Sequence, residues 1–270
     1  MKTKWAIGLI SIAVVLVAVA AWWANNSSKD ANIEAGEEYN LVNSGKLTIV
    51  SSGGFVPFTD MENGKMVGYD IDVGTEIAKI LGLEPKFEKA DFSGMITGIQ
   101  TGRYDIAINS HTITDERKKQ VSFTQPYYYS GSMIFSAPGS SIKTVDDLNG
   151  ATVALNRSSN YYVEAQEYTD KFDFYDDDLR ALQAVAEGHG DAGITDAISG
   201  QQAIANGLKL EAQQQFSKTE QAIPMAKDNE KLLKAINEAM DELKSNGKLK
   251  ELSIKWIGFD VTQPPEDVVE

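Results

Sequence analysis

From Lys46 onward, short β-branched or apolar runs alternate with stretches of helical periodicity. That alternation commits the chain to an α/β fold with mainly parallel strands. Strands are predicted at Leu47 to Ser51, Lys86 to Lys89, Asp105 to Asn109, Ala151 to Leu155 and Ala192 to Thr195, with helices between them. The clearest helix lies near the end, where Leu232, Leu233, Ile236, Met240 and Leu243 recur at three and four residues and Gly247 supplies a left-handed stop. A second short helix follows, with Leu249, Leu252 and Trp256 on one face. Thr144 and Asp147 mark a further helix start, a capping box with Asp in place of Glu. There is no internal repeat and no low-complexity tract. No Pro/Gly-rich linker divides the chain into consecutive domains, yet about 220 residues is large for a single core. The two facts together predict two lobes with the chain crossing between them more than once.

Composition excludes several classes of function. Hydrophobic residues make up 42% and charged residues 24% of the 270, an ordinary globular balance. Cysteine is absent, which removes disulfides, thiolate metal sites and a cysteine nucleophile, and leaves only His111 and His189 as soft ligands. Neither has an acidic or second His neighbour at ligand spacing, so both read as structural or exposed and no metal or cofactor is expected. The formal charge is −14; the first 30 residues hold three Lys and one Asp, a net +2, so the rest carries −16. Such a body makes a poor partner for nucleic acid, whose affinity depends on Lys and Arg displacing counterions. The sequence shows no nucleophile-elbow pattern, no phosphate-binding glycine loop and no metal-ligand cluster.

The amino terminus fixes the compartment. Lys2 and Lys4 precede a run from Trp5 to Ala24 without a charged residue, the pattern of a secretion signal or a membrane anchor over residues 1–30. Ala18-Val19-Ala20 offers a small-x-small cleavage site, while Trp5, Trp22 and Trp23 resemble the aromatic belts of a span retained in the bilayer. Either way the body is extracytoplasmic. Residues 31–44 read as a leader or tether and 263–270 as a tail.

Three segments can carry binding chemistry. In Ser110-His111-Thr112-Ile113-Thr114-Asp115-Glu116-Arg117, backbone N–H groups, Thr hydroxyls and one guanidinium can converge on an anion; the same pattern also describes a capped surface helix. In Gly190 to Asp196, an acid ends a strand, where ligands of open α/β sheets gather; Asp196 can accept from an ammonium group or simply cap a helix. Phe55, Phe58 and Phe92 can sandwich an aliphatic stem or serve as core, and Ser158 and Ser159 can donate to a carboxylate or cap a helix.

Five landmarks in order resemble the polar amino acid solute-binding proteins of ABC importers, the family of the glutamine- and histidine-binding proteins. They are Gly53-Gly54-Phe55-Val56-Pro57-Phe58, Gly68-Tyr69-Asp70-Ile71-Asp72-Val73, Asp91-Phe92-Ser93-Gly94, Thr112 to Arg117, and Phe123-Thr124-Gln125-Pro126-Tyr127-Tyr128, and the resemblance covers about residues 46 to 260. It implies a two-lobed periplasmic-binding-protein fold of type II, a Venus flytrap with two crossover strands at the hinge near Tyr128 to Gly131 and Glu220 to Ile223. Lobe one would be 45–130 plus 222–262 and lobe two 131–221. By similarity Arg117 grips an α-carboxylate with help from Thr112 and the Ser110 backbone, and Asp196 holds the α-ammonium. Phe55 and Phe92 flank the side chain, and Asn156, Ser158 and Ser159 close over it. The implied partners are a free amino acid and a membrane permease, with one monomeric clamp per transporter.

The sequence departs from the family pattern at the specificity positions. Ser52, Asn156 and Thr195 stand where the glutamine-binding member has Asp, Lys and His, which favours a neutral polar ligand such as glutamine, asparagine or cystine. His111 and Arg157 replace residues that are usually small or apolar. Two other readings share the fold. A cyclohexadienyl dehydratase resembles Thr195-Asp196-Ala197 but relies on a glutamate shortly afterwards, where Ile198, Ser199 and Gly200 stand here. A ligand-sensing module would need a separate signalling partner, since no kinase or cyclase pattern is present.

Overall fold

The computed structural model describes residues 39–264; the Trp5 to Ala24 run, with its expected signal or anchor, lies outside the described residues, as do most of the 31–44 leader and of the tail. Among the described residues no helix is long and apolar enough to cross a membrane.

The first sheet is built on β1 (Lys46–Ser51), whose last five residues are buried. It pairs in parallel with β4 (Glu84–Lys89) and β5 (Ile106–Ala107). Before β4 come a small hairpin of β2 (Asp60–Glu62) and β3 (Lys65–Val67), and α1 (Tyr69–Ile80). α2 (Phe92–Gln100) and the single turn α3 (Asp115–Lys118) follow, and then β6 (Ser122–Phe123). The β5 strand is shorter than the predicted Asp105 to Asn109 because side chains replace ladder bonds at both ends. The Asp105 carboxylate accepts from Val42 N (2.8 Å) and Thr48 N (2.7 Å), and Asn109 Oδ1 accepts from Ser52 N (2.7 Å).

The chain then leaves through β7 (Tyr128–Ser130) into β8 (Ser132–Ser136), the start of a second sheet. There β9 (Thr152–Asn156) pairs in parallel with β10 (Lys171–Tyr175) and β11 (Ala192–Asp196), while β8 and β12 (Glu211–Gln215) run antiparallel. Its helices are α4 (Asn160–Ala165), α5 (Asp178–Ala186) and α6 (Ala197–Ala205). The Thr144–Asp147 capping box forms as predicted, on a 3-10 turn (Val145–Leu148), with Thr144 N donating to Asp147 Oδ2 at 2.9 Å.

β13 (Thr219–Gln221) carries the chain back, antiparallel to β7, into β14 (Pro224–Met225), which closes the first sheet between β5 and β6. The strand orders are β4-β1-β5-β14-β6 and β10-β9-β11-β8-β12. Within these two sheets, among the described residues, parallel and antiparallel pairs are thus equal in number, not mainly parallel as expected. A strand that enters a sheet from the hinge arrives opposite to the βαβ units, and β8 and β14 both do so. α7 (Glu230–Ser245) and α8 (Lys248–Ile257) return to the first lobe, with Gly247 left-handed (φ 78°) between them. Leu232, Ile236, Met240 and Leu243 join Leu47, Ile49, Val73 and Ile77 in that lobe's core. Tyr129 N donates to Val261 O (2.9 Å), so the end of the described chain docks on a hinge strand.

Candidate functional site

The strand ends of both sheets face a cleft of ≈ 510 Å3 between the lobes. From the first lobe Ser52, Phe55, Phe92 and Ser110 line it; from the second, Asn156, Ser158 and Ser159 do. Thr112, Arg117, Thr195 and Asp196 sit behind its wall, each less than a tenth exposed.

Arg117 is the centre of the arrangement. Thr114 caps α3 by accepting from Arg117 N (3.2 Å), and this turn aims the side chain inward, where it is 9% exposed. Its Nη1 donates to Thr112 O (3.0 Å) within lobe one and its Nη2 to Ser158 O (3.2 Å) in lobe two. The guanidinium also lies 5.3 Å from the Phe92 ring. Among the described residues no carboxylate is within ion-pair distance of it, and burial pushes its pKa down. A buried cation is tolerated only when paired or hydrogen-bonded, and here two neutral carbonyls hold it.

Asp196, 2% exposed, is a buried acid of the second lobe. Its Oδ1 caps α6 by accepting from Ile198 N (2.9 Å) and Ser199 N (3.1 Å). Burial raises its pKa to about 6, against the pull of those hydrogen bonds. The expected helix cap therefore forms, on an acid that is also buried.

Two acids that the sequence reading passed over complete the electrostatics. Asp70, fully buried, accepts from Tyr127 Oη (2.7 Å) and Ser110 Oγ (3.1 Å), and burial raises it to about 7. Asp178, at the start of α5, accepts from Thr195 Oγ1 (2.9 Å) and is likewise raised to about 7, chiefly by burial. Asp70 lies within Gly68 to Val73, where nothing in the sequence pattern marks it as buried. Asp178 reads as one of three acids, Asp176 to Asp178, expected at any helix start.

Ser110 adopts a left-handed conformation (φ 53°), uncommon outside glycine, and its N–H donates to Tyr127 Oη (3.2 Å). That N–H is engaged within the fold. The resemblance had given the Ser110 backbone to a ligand. Thr112 forms an isolated bridge with Gln221 of the hinge. Ser159 Oγ donates to Asn156 O (2.6 Å) and does not cap α4. Asn156 Oδ1 accepts from Ser158 N (2.9 Å) and its Nδ2 donates to Asp176 O (3.2 Å). The Ser52 hydroxyl is buried without a partner among the described residues. Phe55 stacks on Phe58 (5.4 Å), and Phe58 is wholly core. His111 is buried, stacked on Phe92 at 4.6 Å, and neither ring nitrogen has a partner among the described residues. Burial and the neighbouring Arg117 push its pKa far down. His189 is exposed.

Contacts across the cleft join the lobes directly. Besides Arg117 to Ser158, Ser199 Oγ donates to Val56 O at 2.8 Å. Among the described residues no group of acidic or His side chains is arranged to hold a metal ion.

This fold and cleft define a two-lobed binding protein. Residues 47–259 match the model of the bacterial extracellular solute-binding proteins, family 3, and the chain belongs to that family. The L-cystine-binding protein TcyJ of Escherichia coli K12 is 34% identical over 226 residues, spanning 81% of this chain and 85% of TcyJ. The probable amino-acid-binding protein YxeM of Bacillus subtilis 168 is 35% identical over 268 residues, spanning 96% of this chain and 97% of YxeM. Among solved structures, an ancestral arginine-binding protein bound to arginine superposes with a TM-score of 0.76 at 34% identity, over 79% of this chain and 99% of that one.

Proposed function

We propose that the protein is the extracytoplasmic substrate-binding component of an amino-acid ABC importer, which closes on a free polar amino acid and hands it to the permease. The observation that carries this is Arg117: a guanidinium 9% exposed, held between the lobes by two neutral carbonyls and the Phe92 ring, with no carboxylate at ion-pair distance among the described residues. An α-carboxylate reaching it would supply the charge-assisted, two-pronged bond that the carbonyls lack. Asp196, buried and without a cation among the described residues, supplies the acceptor for the ammonium end. A zwitterion satisfies both at once, and a site that buries one cation and one anion rejects molecules lacking either head.

Closure follows from the same contacts. Arg117 and Ser199 of opposite lobes already bond across the cleft, and a ligand touching both sheets adds interactions that exist only when they meet. Such a ligand shifts the hinge equilibrium toward closure, and the permease reads the closed surface. Glutamine, asparagine and cystine are the candidates left by the uncharged side chains at Ser52, Asn156 and Thr195. The protein acts as a carrier and not as a dehydratase, and as a monomer.

Thermal unfolding of residues 30–270 against a panel of free L-amino acids, cystine and prephenate tests this, with Arg117→Ala alongside. A ligand at 100 times its Kd adds about 2.7 kcal/mol of stability. A raised midpoint with an amino acid for the wild type, lost in Arg117→Ala, supports the reading. No response to any amino acid, or a response to prephenate alone, sinks it.

A further inference from the structure

Arg157 has no part in the amino acid clamp described above, yet it lines the same cleft. It follows Asn156 at the end of β9, next to Ser158, whose carbonyl Arg117 holds. Its guanidinium carbon lies 3.5 Å from the centroid of the Phe174 ring, on the neighbouring strand β10. The ring fixes the plane of the guanidinium and leaves its edge open, since stacking uses the face and not the N–H donors. Among the described residues Arg157 makes no ion pair and no hydrogen bond, although Asp176 and Asp177 line the cleft beside it. Those two acids are taken by Arg180, at 3.6 and 3.2 Å. From the first lobe Lys89 lines the same cleft, also without an ion-pair partner among the described residues. Arg157 and Lys89 are exposed where Arg117 is buried, so they mark the outer part of the cleft and Arg117 lies behind its inner wall.

A solvated surface arginine keeps its rotamer freedom, and holding one flat costs side-chain entropy. A protein whose body is strongly acidic here brings two cations without ion pairs among the described residues, one from each lobe, to the rim of its binding cleft, while two of the four acids lining that cleft, Asp176 and Asp177, pair with a third cation. Phe55 and Phe92 line the same cleft, Phe92 against Arg117, and suit a short apolar stem.

We propose that Arg157, with Lys89 of the opposite lobe, forms a second carboxylate-binding subsite, so that the ligand is an amino acid carrying two carboxylates at the ends of a short chain, as cystine does and glutamine and asparagine do not. This rests on the amino acid clamp at Arg117 and names the chemistry of its distal end. The subsite reads a planar anion through the open edge of Arg157, and Lys89 reaches it only when the lobes are closed. The second carboxylate therefore strengthens closure as well as selectivity.

Matched ligands that differ by one carboxylate provide the test. Kd values for meso-diaminopimelate against L-lysine, L-glutamate against L-glutamine, and L-cystine against the mixed disulfide of L-cysteine and cysteamine are measured by titration calorimetry on the wild type, Arg157→Gln and Lys89→Gln. Both positions are exposed, and the unfolding midpoint without added ligand verifies that each variant is folded. In the wild type, the dicarboxylate of at least one pair binds about tenfold tighter or better, which is about 1.4 kcal/mol. Arg157→Gln abolishes that preference and leaves the single-carboxylate partner unchanged. Equal affinity within every pair, or a preference that survives Arg157→Gln, overturns the subsite while leaving the clamp at Arg117 intact. No binding of either member of any pair overturns the clamp and this subsite together.

Discussion

The raised pKa of Asp196 gives the proposed clamp a pH dependence whose size can be worked out. The ammonium end of the ligand needs the ionised carboxylate, and burial has moved its titration from 3.8 to about 6. At pH 8 nearly all of the protein carries the anion; at pH 5, one unit below that value, about a tenth does. Affinity for a zwitterionic ligand is therefore about tenfold weaker at pH 5 than at pH 8, or about 1.4 kcal/mol, with a further tenfold by pH 4. The ammonium and carboxylate of glutamine and asparagine do not titrate appreciably between pH 5 and 8, so with those ligands the slope belongs to the protein. Asp196→Asn is the control. Asn caps a helix as well as Asp does, so the bonds from Ile198 N and Ser199 N survive and only the charge is lost. Leaving a buried ammonium unpaired costs about 2 kcal/mol or more, so the variant binds at least about 30-fold more weakly at pH 8. Asp70 and Asp178, raised to about 7, feel the field of Asp196, and any slope remaining in the variant is theirs. Calorimetric Kd values at half-unit steps from pH 5 to 8 decide the matter. A flat wild-type profile, or an Asn variant that binds like the wild type, refutes the assignment of Asp196 to the ammonium.

Other perturbations have equally definite outcomes. Arg117→Met keeps the stem beneath Phe92 and removes a buried cation that has no carboxylate partner; binding falls at least about 30-fold while the unfolding midpoint without ligand holds or rises, and a fall of several degrees would contradict this. Stability without ligand declines from pH 5 to 8, because acids whose folded pKa is raised contribute stability that is complete below their unfolded value and lost through about 6 to 7; Asp70→Asn makes the denaturation midpoints less steep over that range. His111 acts in the opposite sense, since a buried neutral imidazole resists protonation and stability falls below its ordinary 6.5, an acid-side loss that His111→Val removes. At the hinge, a Cβ on Gly131 would stand 1.9 Å from Ser217 O, a backbone atom that cannot step aside, so Gly131→Ala lowers stability by about 1–3 kcal/mol or more in chemical denaturation.

The α/β class was legible because the strands β1, β9 and β11 are buried on both faces and so read as apolar runs, while α7 declares itself through Leu232, Ile236, Met240 and Leu243. Strands placed by pairing with distant parts of the chain were not legible. Among the described residues β8 pairs with β11 and β12, strands far along the chain, and β12 (Glu211–Gln215) is a polar edge without an apolar run. The equal share of antiparallel pairs came from the hinge crossings, which local periodicity does not encode. At the cleft, sequence supplied residue types: one Arg after a capped turn, one Asp at a strand end, aromatics near glycines. Whether Arg117 was solvated or buried, and what faced it, depended on Thr112 O and Ser158 O arriving from different lobes. The same holds for Asp70 and Asp178, ordinary helix-start acids in sequence that titrate near 7 because folding surrounds them. Periodicity and turn chemistry are local properties and survive in a linear string. Desolvation and charge pairing are properties of neighbours brought together by the fold, so only the tertiary structure decided them.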